Sequence, residues 1–200
     1  IKGAADILAH SQLTAEKRKE FTDILVEESR HLNRIVNQFL DFARPKQLTE
    51  LRCHLQGAIE TVLELSEHQR KIHAITVSQS YESNLPAIVF DPDQLKQVFV
   101  NLITNAIQSM PNGGEIRITC KKVDKQAICW VEDSGTGIPE SNLLKIFDPF
   151  FTTRKNGTGL GLSIVQKILQ HHKAQIEVSN RKEGGACFQI MFCCHEEEGE

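Results

Sequence analysis

A heptad repeat of apolar side chains runs from Ala15 to Ala43 and stops just before Pro45. Its seam positions alternate spacings of four and three, and only one of them is polar: Phe21, Leu25, Glu28, Leu32, Ile35, Phe39 and Phe42. A long helix with so narrow an apolar stripe needs another helix, or a second copy of itself, to cover it. Thr14 is a suitable N-cap, and Pro45 ends the helix because it lacks an amide donor.

A second, shorter helix is predicted from Ile1 to His10, where Ile1, Ala4, Ala5 and Leu8 share one stripe. The segment from Ser11 to Thr14 interrupts that period, so the two helices are expected to form an antiparallel hairpin. Two copies of the hairpin would make a dimeric four-helix bundle. A domain boundary is predicted near Arg44 to Thr49. The alternative is a single domain with a kinked helix, which the sharp change of periodicity after Pro45 disfavours.

Strand and helix patterns alternate in the rest of the chain. Strands are predicted at 48–51, 74–80, 88–90, 114–122, 127–132, 175–179 and 186–192, and helices at 54–70, 91–110 and 160–172. The predicted fold class is therefore α+β, with the helical hairpin followed by an α/β sandwich of one mixed sheet and helices on one face. The predicted domains are 1–44 and 45–195, and residues 196–200 form an acidic tail expected to fray.

The formal net charge of −3 excludes a basic surface for gripping nucleic acid or an acidic membrane, so a bound phosphate must be held locally. The 6 cysteines contain no CxxC pair and the 8 histidines lack zinc spacing. We therefore expect reduced thiols in a cytosolic protein and no Cys or His metal site. No apolar run is long enough to span a bilayer. The chain begins in helix-like sequence without a methionine, so we expect a fragment whose parent is anchored, if at all, by segments upstream.

Three carboxamides share one face of the predicted helix 91–110. Gln97, Asn101 and Asn105 lie four residues apart, while apolar residues between them face a core. Asparagine is an indifferent helix former, and its side-chain oxygen can ligate Mg²⁺ without adding charge. A magnesium site and an ordinary solvated polar face both fit this stretch when it is taken alone.

A second motif, Asp133 to Ile138, follows a predicted strand and reads D-S-G-T-G-I. A carboxylate at a strand end can accept a hydrogen bond from an exocyclic amine, and the glycines let the backbone approach a flat ring. A simple turn uses the same residue types, so the motif alone leaves both interpretations open.

A third motif, Asn156 to Leu162, reads N-G-T-G-L-G-L and leads straight into a helix. Glycines at a helix N-terminus expose backbone amides that bind phosphate. The motif is neither a Walker A loop nor a dinucleotide fingerprint.

The segment between the second and third motifs, Phe147 to Lys155, is apolar at one end and basic at the other. This composition predicts a lid: the phenylalanines anchor it, and Arg154 or Lys155 reaches the phosphates. Gly184 to Phe188 is a fourth candidate, either a hairpin turn or a nucleotide contact.

In this order the motifs N-x-x-x-N, D-x-G-x-G-I, F-D-P-F-F-T-T and G-T-G-L-G-L-S resemble the N, first-glycine, F and second-glycine boxes of sensor histidine kinases. That family shares an ATPase superfamily with type II topoisomerases, Hsp90 and MutL. The resemblance covers nearly the whole chain. It implies ATP and Mg²⁺ as cofactors, with Asn105 as the metal ligand and Asn101 supporting the phosphates.

The resemblance also implies roles for the other motifs. Asp133 would hold the adenine amine beside a base pocket lined by Gly135, Gly137 and Ile138. The phosphates would lie in the loop formed by Gly157, Thr158, Gly159, Leu160, Gly161 and Leu162. The lid residues would be Phe147, Thr152, Thr153, Arg154 and Lys155. The sequence departs from the family at Cys187, where a threonine is usual, and at Gln108, where some relatives have a basic residue.

Hydrolysing branches of the superfamily place a glutamate at the position of Asn101, which cannot abstract a proton. We therefore expect little hydrolysis and transfer of the γ-phosphoryl to a histidine, for relay to an aspartate of a response regulator. The acceptor is expected roughly nine residues before Ile1, because the context of His10 and His31 does not fit. Expected partners are ATP, the regulator and a second copy, in the cytoplasm and without nucleic acid. A related serine kinase of the anti-sigma type and a nucleotide-sensing scaffold remain alternatives.

Overall fold

A computed structural model describes residues 2–10, 13–43, 48–154 and 157–193. The chain divides into two compact units, Ile1–Pro45 and Lys46–Glu200. Within the described ranges, none of the helices combines the length and the apolar character needed to cross a membrane. The predicted tail 196–200, Cys194 and most of the predicted boundary segment lie outside the described residues.

The first unit consists of two contacting helices, α1 (Lys2–His10) and α2 (Ala15–Ala43). Both helices were predicted, and the Thr14 hydroxyl caps α2 by accepting a hydrogen bond from the Lys17 N–H at 3.4 Å. The seam of α2 stays open to solvent within one chain, since Leu32 and Phe39 are each 48% exposed. The side chains of Ile35 and Phe42 lie outside the described part of the structure.

The second unit contains seven strands and four helices among its described residues. In chain order they are β1 (Leu51–Cys53), α3 (Leu55–Ile72), β2 (Ile75–Tyr81), β3 (Ile88–Phe90), α4 (Pro92–Ser109), β4 (Gly114–Val123), β5 (Gln126–Asp133), α5 (Glu140–Leu143), α6 (Gly161–His171), β6 (Gln175–Asn180) and β7 (Ala186–Cys193). Five strands form one sheet in the order β2-β4-β5-β7-β6, in which β2 and β4 are parallel and the other pairs antiparallel. The predicted α+β class with a mixed sheet is confirmed.

Two details of the prediction were wrong. The strand expected at 48–51 begins only at Leu51, where it pairs with β3 in a separate two-stranded sheet. The Thr49 N–H donates to Asp91 Oδ2 at 3.1 Å, so residues 48–50 run past the start of α4 instead of joining a strand. The single turn of α5 was not predicted, because four residues are too few to show a helical period.

Helices α3, α4 and α6 cover the sheet and bury their apolar faces against it. Four of their apolar side chains have no exposed surface: Leu55, Val98, Phe99 and Val165. Asp91 caps the N-terminus of α4, because its carboxylate accepts hydrogen bonds from the Asp93 and Gln94 N–H groups. Pro92 suits the first helical position because it has no N–H that would be left without a partner. This rigid capping fixes the register of the polar residues along α4.

The described cysteines all carry free thiols, and Cys53, Cys120 and Cys129 are buried. Desolvation by burial raises the pKa of the Cys129 thiol well above its ordinary value. Such thiols behave as small apolar side chains and not as nucleophiles.

Candidate functional site

The carboxylate of Asp133 lies at the end of β5 and is only 4% exposed. Its Oδ1 atom accepts hydrogen bonds from the Gly135 N–H at 2.8 Å, the Ser109 hydroxyl at 3.0 Å and the Ala186 N–H at 3.4 Å. No described residue donates to Oδ2. One oxygen therefore holds the carboxylate in place, while the other can accept from a ligand.

Gly135 brings the backbone of the loop directly against α4. A Cβ at this position would lie 2.2 Å from Ser109 Oγ and 2.8 Å from Asp133 Oδ1. Any larger residue would push the loop off the helix and break the hydrogen bonds to Asp133. Gly137 and Ile138 continue the same loop toward the end of β6, where Ile138 bonds to Asn180.

Asn101 is buried in the middle of α4, 7% exposed, and its Nδ2 has no hydrogen-bond partner. A buried donor without a partner costs about 1–3 kcal/mol, so such an atom points to a ligand. The Oδ1 atom of Asn101 lies 3.5 Å from the position of a Cβ on Gly161, the first residue of α6. The carboxamide therefore lies beside a helix N-terminus.

The N-terminus of α6 has no capping side chain, so the first amides of the helix are available to an anion. The preceding loop is held by its own hydrogen bonds, since the Leu160 N–H donates to Thr158 Oγ1 at 3.3 Å and the Gly157 N–H to the Arg154 carbonyl at 3.2 Å. Leu160 is buried, and Gly161 and Leu162 form the first turn. This geometry fits the predicted phosphate loop.

Gly159 joins this loop to the lid. The Phe150 N–H donates to the Gly159 carbonyl at 2.9 Å, and a Cβ on Gly159, whose φ is +68°, would lie 2.3 Å from the Phe150 carbonyl carbon. The lid is anchored by buried Ile146 and half-buried Phe147. Phe150 is 61% exposed, so the expectation that each phenylalanine anchors the lid was wrong.

Arg154 connects the lid to α4. Its Nη1 donates to Asn105 Oδ1 at 3.2 Å and to Gln108 Oε1, and its Nη2 donates to the Asn105 carbonyl at 3.2 Å. Desolvation lowers the pKa of the guanidinium and nearby Asp133 raises it, yet an arginine remains charged at neutral pH. A cation thus already contacts Asn105 Oδ1, the oxygen predicted to ligate a metal.

Elsewhere in the lid, Phe151 is half-buried, whereas Thr152 and Thr153 are exposed. Thr152 Oγ1 accepts from the Arg154 N–H at 3.1 Å, which orders the backbone before the arginine, and Thr153 lies beside it on the surface. Lys155 and Asn156 lie outside the described residues.

The structure brings the predicted motifs together around one site. The first and second meet at Ser109 and Asp133, the first and third at Asn101 and Gly161, and the lid reaches Asn105 through Arg154. Sequence reasoning missed Ser109, although its signal was present, because it continues the four-residue spacing of the carboxamides on α4. It also missed the residues at the end of β6, for which no motif gave a signal.

Two protein-family models match this chain. The model for histidine kinase-, DNA gyrase B- and HSP90-like ATPases matches residues 90–196, more than half of the chain. The His kinase A (phospho-acceptor) domain model matches residues 1–48. The chain belongs to the histidine kinase family. The resemblance seen in the sequence motifs is therefore confirmed.

Relatives and solved structures agree with this assignment. Sporulation kinase A of Bacillus subtilis (strain 168) is 37% identical over 180 residues, which are 90% of this chain and 30% of that protein. The histidine kinase ThkA, solved in complex with the response regulator TrrA, has a TM-score of 0.79 and 30% identity, covering 99% of this chain and 57% of that one. Full-length ShkA in complex with AMPPNP has a TM-score of 0.78 and 28% identity over 96% of this chain and 42% of that one. The chain thus spans about a third of the length of the curated relative.

Proposed function

We propose that this chain is the catalytic core of a sensor histidine kinase, which binds Mg-ATP and transfers the γ-phosphoryl to a histidine for relay to an aspartate of a response regulator. The observation that carries the proposal is a pair of polar groups that remain available to a ligand. Asp133 offers an acceptor oxygen beside a glycine loop, and Asn101 offers a buried donor beside an open helix N-terminus. A ligand with an amine at one end and phosphates at the other satisfies both.

The adenine end of the ligand would lie against β5. Asp133 Oδ2 would accept from the exocyclic amine, while Gly135, Gly137 and Ile138 line the ring. Ser109 holds the carboxylate from α4 at 3.0 Å, so the acceptor is oriented before the nucleotide arrives.

The phosphate end would lie between α4 and α6. The amides from Gly157 to Leu162 would bind the phosphate oxygens, Asn101 would donate from Nδ2, and Asn105 would hold Mg²⁺ through Oδ1. The ion, when bound, neutralises phosphate charge. These residues fit a metal–phosphate site because a neutral carboxamide and bare amides leave the negative charge to the phosphates. Arg154 would leave Asn105 and pair with the phosphates together with the lid, which also contains Phe147, Thr152 and Thr153.

Phosphoryl transfer, and not hydrolysis, suits the polar residues on α4. Asn101 cannot act as a general base, so no side chain at this position activates water. We propose that the acceptor histidine precedes Ile1, that residues 1–44 form the phospho-acceptor hairpin and 45–195 the ATP-binding domain, and that the core works in the cytoplasm. The match of residues 1–48 to the phospho-acceptor model disfavours a serine kinase.

A homodimer is part of the same proposal. The exposed apolar residues of α2 would be covered by a second copy of the hairpin: Ile24, Val26, Leu32, Val36, Phe39 and Leu40.

Calorimetric titration of the chain with ATP, with and without Mg²⁺, tests the proposal. Replacing Asp133→Asn removes the charged acceptor, which contributes about 2 kcal/mol when it bonds to an amine, so the affinity should fall roughly 30-fold. Asp124→Asn is the matched control, because Asp124 lies in the β4–β5 turn away from the site. Absence of magnesium-dependent ATP binding, or equal affinities in wild type and Asp133→Asn, would refute the proposal.

A further inference from the structure

The loop from Asp133 to Ile138 is held at both ends by two consecutive residues at the end of β6. The Asp133 carbonyl accepts a hydrogen bond from Arg181 Nη1 at 3.0 Å. The Ile138 N–H donates to Asn180 Oδ1 at 2.8 Å, and the Ile138 carbonyl accepts from Asn180 Nδ2 at 2.6 Å. The loop that forms the proposed base pocket is therefore bracketed by one neighbouring turn.

Asn180 holds Ile138 as another strand would. Its carboxamide offers one donor and one acceptor, and both bonds go to the backbone of a single residue. Two parallel constraints fix the orientation of Ile138 as well as its position. The fit is close, because a Cβ on Gly137 would lie 2.9 Å from Asn180 Oδ1. A displacement of Asn180 would move the loop with it.

Arg181 holds the other end of the loop. Its side chain is only 11% exposed, and its Nε lies 3.4 Å from Oε1 of Glu132, the residue immediately before Asp133. The guanidinium thus bonds to the backbone of Asp133 and to the preceding side chain at once. Such a fork cannot be reproduced by a single ammonium group, and truncating it would leave Glu132 without its nearly buried partner.

The same turn closes on Asp133 from a second side. A Cβ on Gly185 would lie only 1.8 Å from the Asp133 carbonyl oxygen, and the φ of Gly185 is +92°, so this position requires glycine. The next residue, Ala186, donates its N–H to Asp133 Oδ1. The β6–β7 turn therefore contacts both the backbone and the side chain of Asp133.

We propose that Asn180 and Arg181 are positioning residues that determine how strongly the site discriminates adenine from other purines, by holding the two ends of the loop 133–138 around the base. The proposal rests on the proposed function, since it assigns a further set of residues to the same pocket. Neither residue touches the ligand. Each acts through the loop, because a hydrogen bond weakens steeply when its acceptor turns away from the donor.

The test compares two nucleotides that differ in one group. ATP and purine riboside triphosphate have the same ring system and phosphates, but the second lacks the 6-amino group. Loss of folded protein or of phosphate contacts lowers both affinities by the same factor, so the affinity ratio reports the amine hydrogen bond alone. In the wild type this ratio should be about tenfold or more.

Arg181→Met and Asn180→Ala should each reduce the ratio to about twofold, because each removes the side-chain hydrogen bonds that hold one end of the loop. Arg181→Lys should give an intermediate ratio, since its ammonium group can still donate to the Asp133 carbonyl. Arg70→Met is the matched control. Arg70 also donates from its guanidinium to a carbonyl, that of Leu63 at 2.9 Å, but it lies on α3 and should leave the ratio unchanged.

The outcomes separate the two proposals. A wild type that binds neither nucleotide contradicts the proposed function and this inference together. A wild type that binds both equally leaves nucleotide binding intact but overturns the inference. An unchanged ratio in Arg181→Met and Asn180→Ala overturns only the inference. Should these variants fail to fold, Asn180→Asp decides, since it keeps the side-chain shape but replaces the donor to Ile138 with a charged carboxylate oxygen, and a wild-type ratio there contradicts the proposal.

Discussion

Replacing Asn101 with leucine should make the protein more stable while weakening nucleotide binding. Leucine has the same branched shape as asparagine. Gly161, which lies beside the Asn101 carboxamide, has no side chain that the new methyl groups could strike. The unpaired Nδ2 is buried and costs about 1–3 kcal/mol, which the apolar replacement removes. The larger methyl groups offset part of this gain by overpacking. We expect a net gain of about 1 kcal/mol, which raises the Tm by roughly 2–4 °C for a unit of this size.

The assay is thermal denaturation of wild type and Asn101→Leu, each with and without Mg-ATP. The wild type should gain stability from ligand, by about 2.7 kcal/mol at a concentration of 100 times Kd. The variant should start higher and gain little. Gln97→Leu is the control, because Gln97 lies one turn earlier on the same face and has no buried orphan atom. A Tm below wild type without ligand, or an unchanged shift with ligand, would refute the reasoning that the site stores an unsatisfied donor for its ligand.

Two further predictions concern the helical hairpin. Phe39→Glu should convert a homodimer to a monomer in sedimentation at micromolar concentration, because Phe39 is exposed in one chain and would be buried by a second copy. Glu27→Lys, at an exposed position of α2, should leave the dimer intact. A wild type that is already monomeric would contradict the bundle. A chain extended upstream of Ile1 should incorporate acid-labile phosphate from ATP, as expected for phosphohistidine, while acid-stable phosphate would indicate a serine kinase and no phosphate a scaffold.

Much of this fold is predictable from the sequence because its elements have strong periods. Helix α2 begins and ends where expected, since Thr14 caps its N-terminus and Pro45 comes two residues after Ala43. The β4–β5 hairpin was predicted from two alternating runs, although β4 extends one residue further at its end and β5 one residue further at each end. Strand β3 was predicted at 88–90, but its separate pairing with β1 was not, because a three-residue strand has no pattern that identifies its partner.

Some residues of the candidate site were also predictable from the sequence, and others were not. Asp133 and Asn101 were singled out because a carboxylate directly after a strand and a carboxamide inside a helix call for a functional explanation. The Asn105–Arg154 contact was not predicted, since it joins a helix to a lid 49 residues later. A sequence shows that both residues can bind phosphates or metal, but not that they bind each other.

The residues at the end of β6 show why support is harder to predict than chemistry. Asn180 and Arg181 act on the loop 133–138 through backbone atoms, and any sequence supplies a carbonyl or an N–H at such positions. Their identity is therefore constrained by geometry that exists only after β6 and β7 have paired with the sheet. The sheet register positions the β6–β7 turn, the turn positions the loop 133–138, and the loop positions the acceptor oxygen of Asp133. The proposed adenine pocket should lose selectivity before it loses affinity when the turn is disturbed, because the α6 amides that we propose bind phosphate belong to a different element.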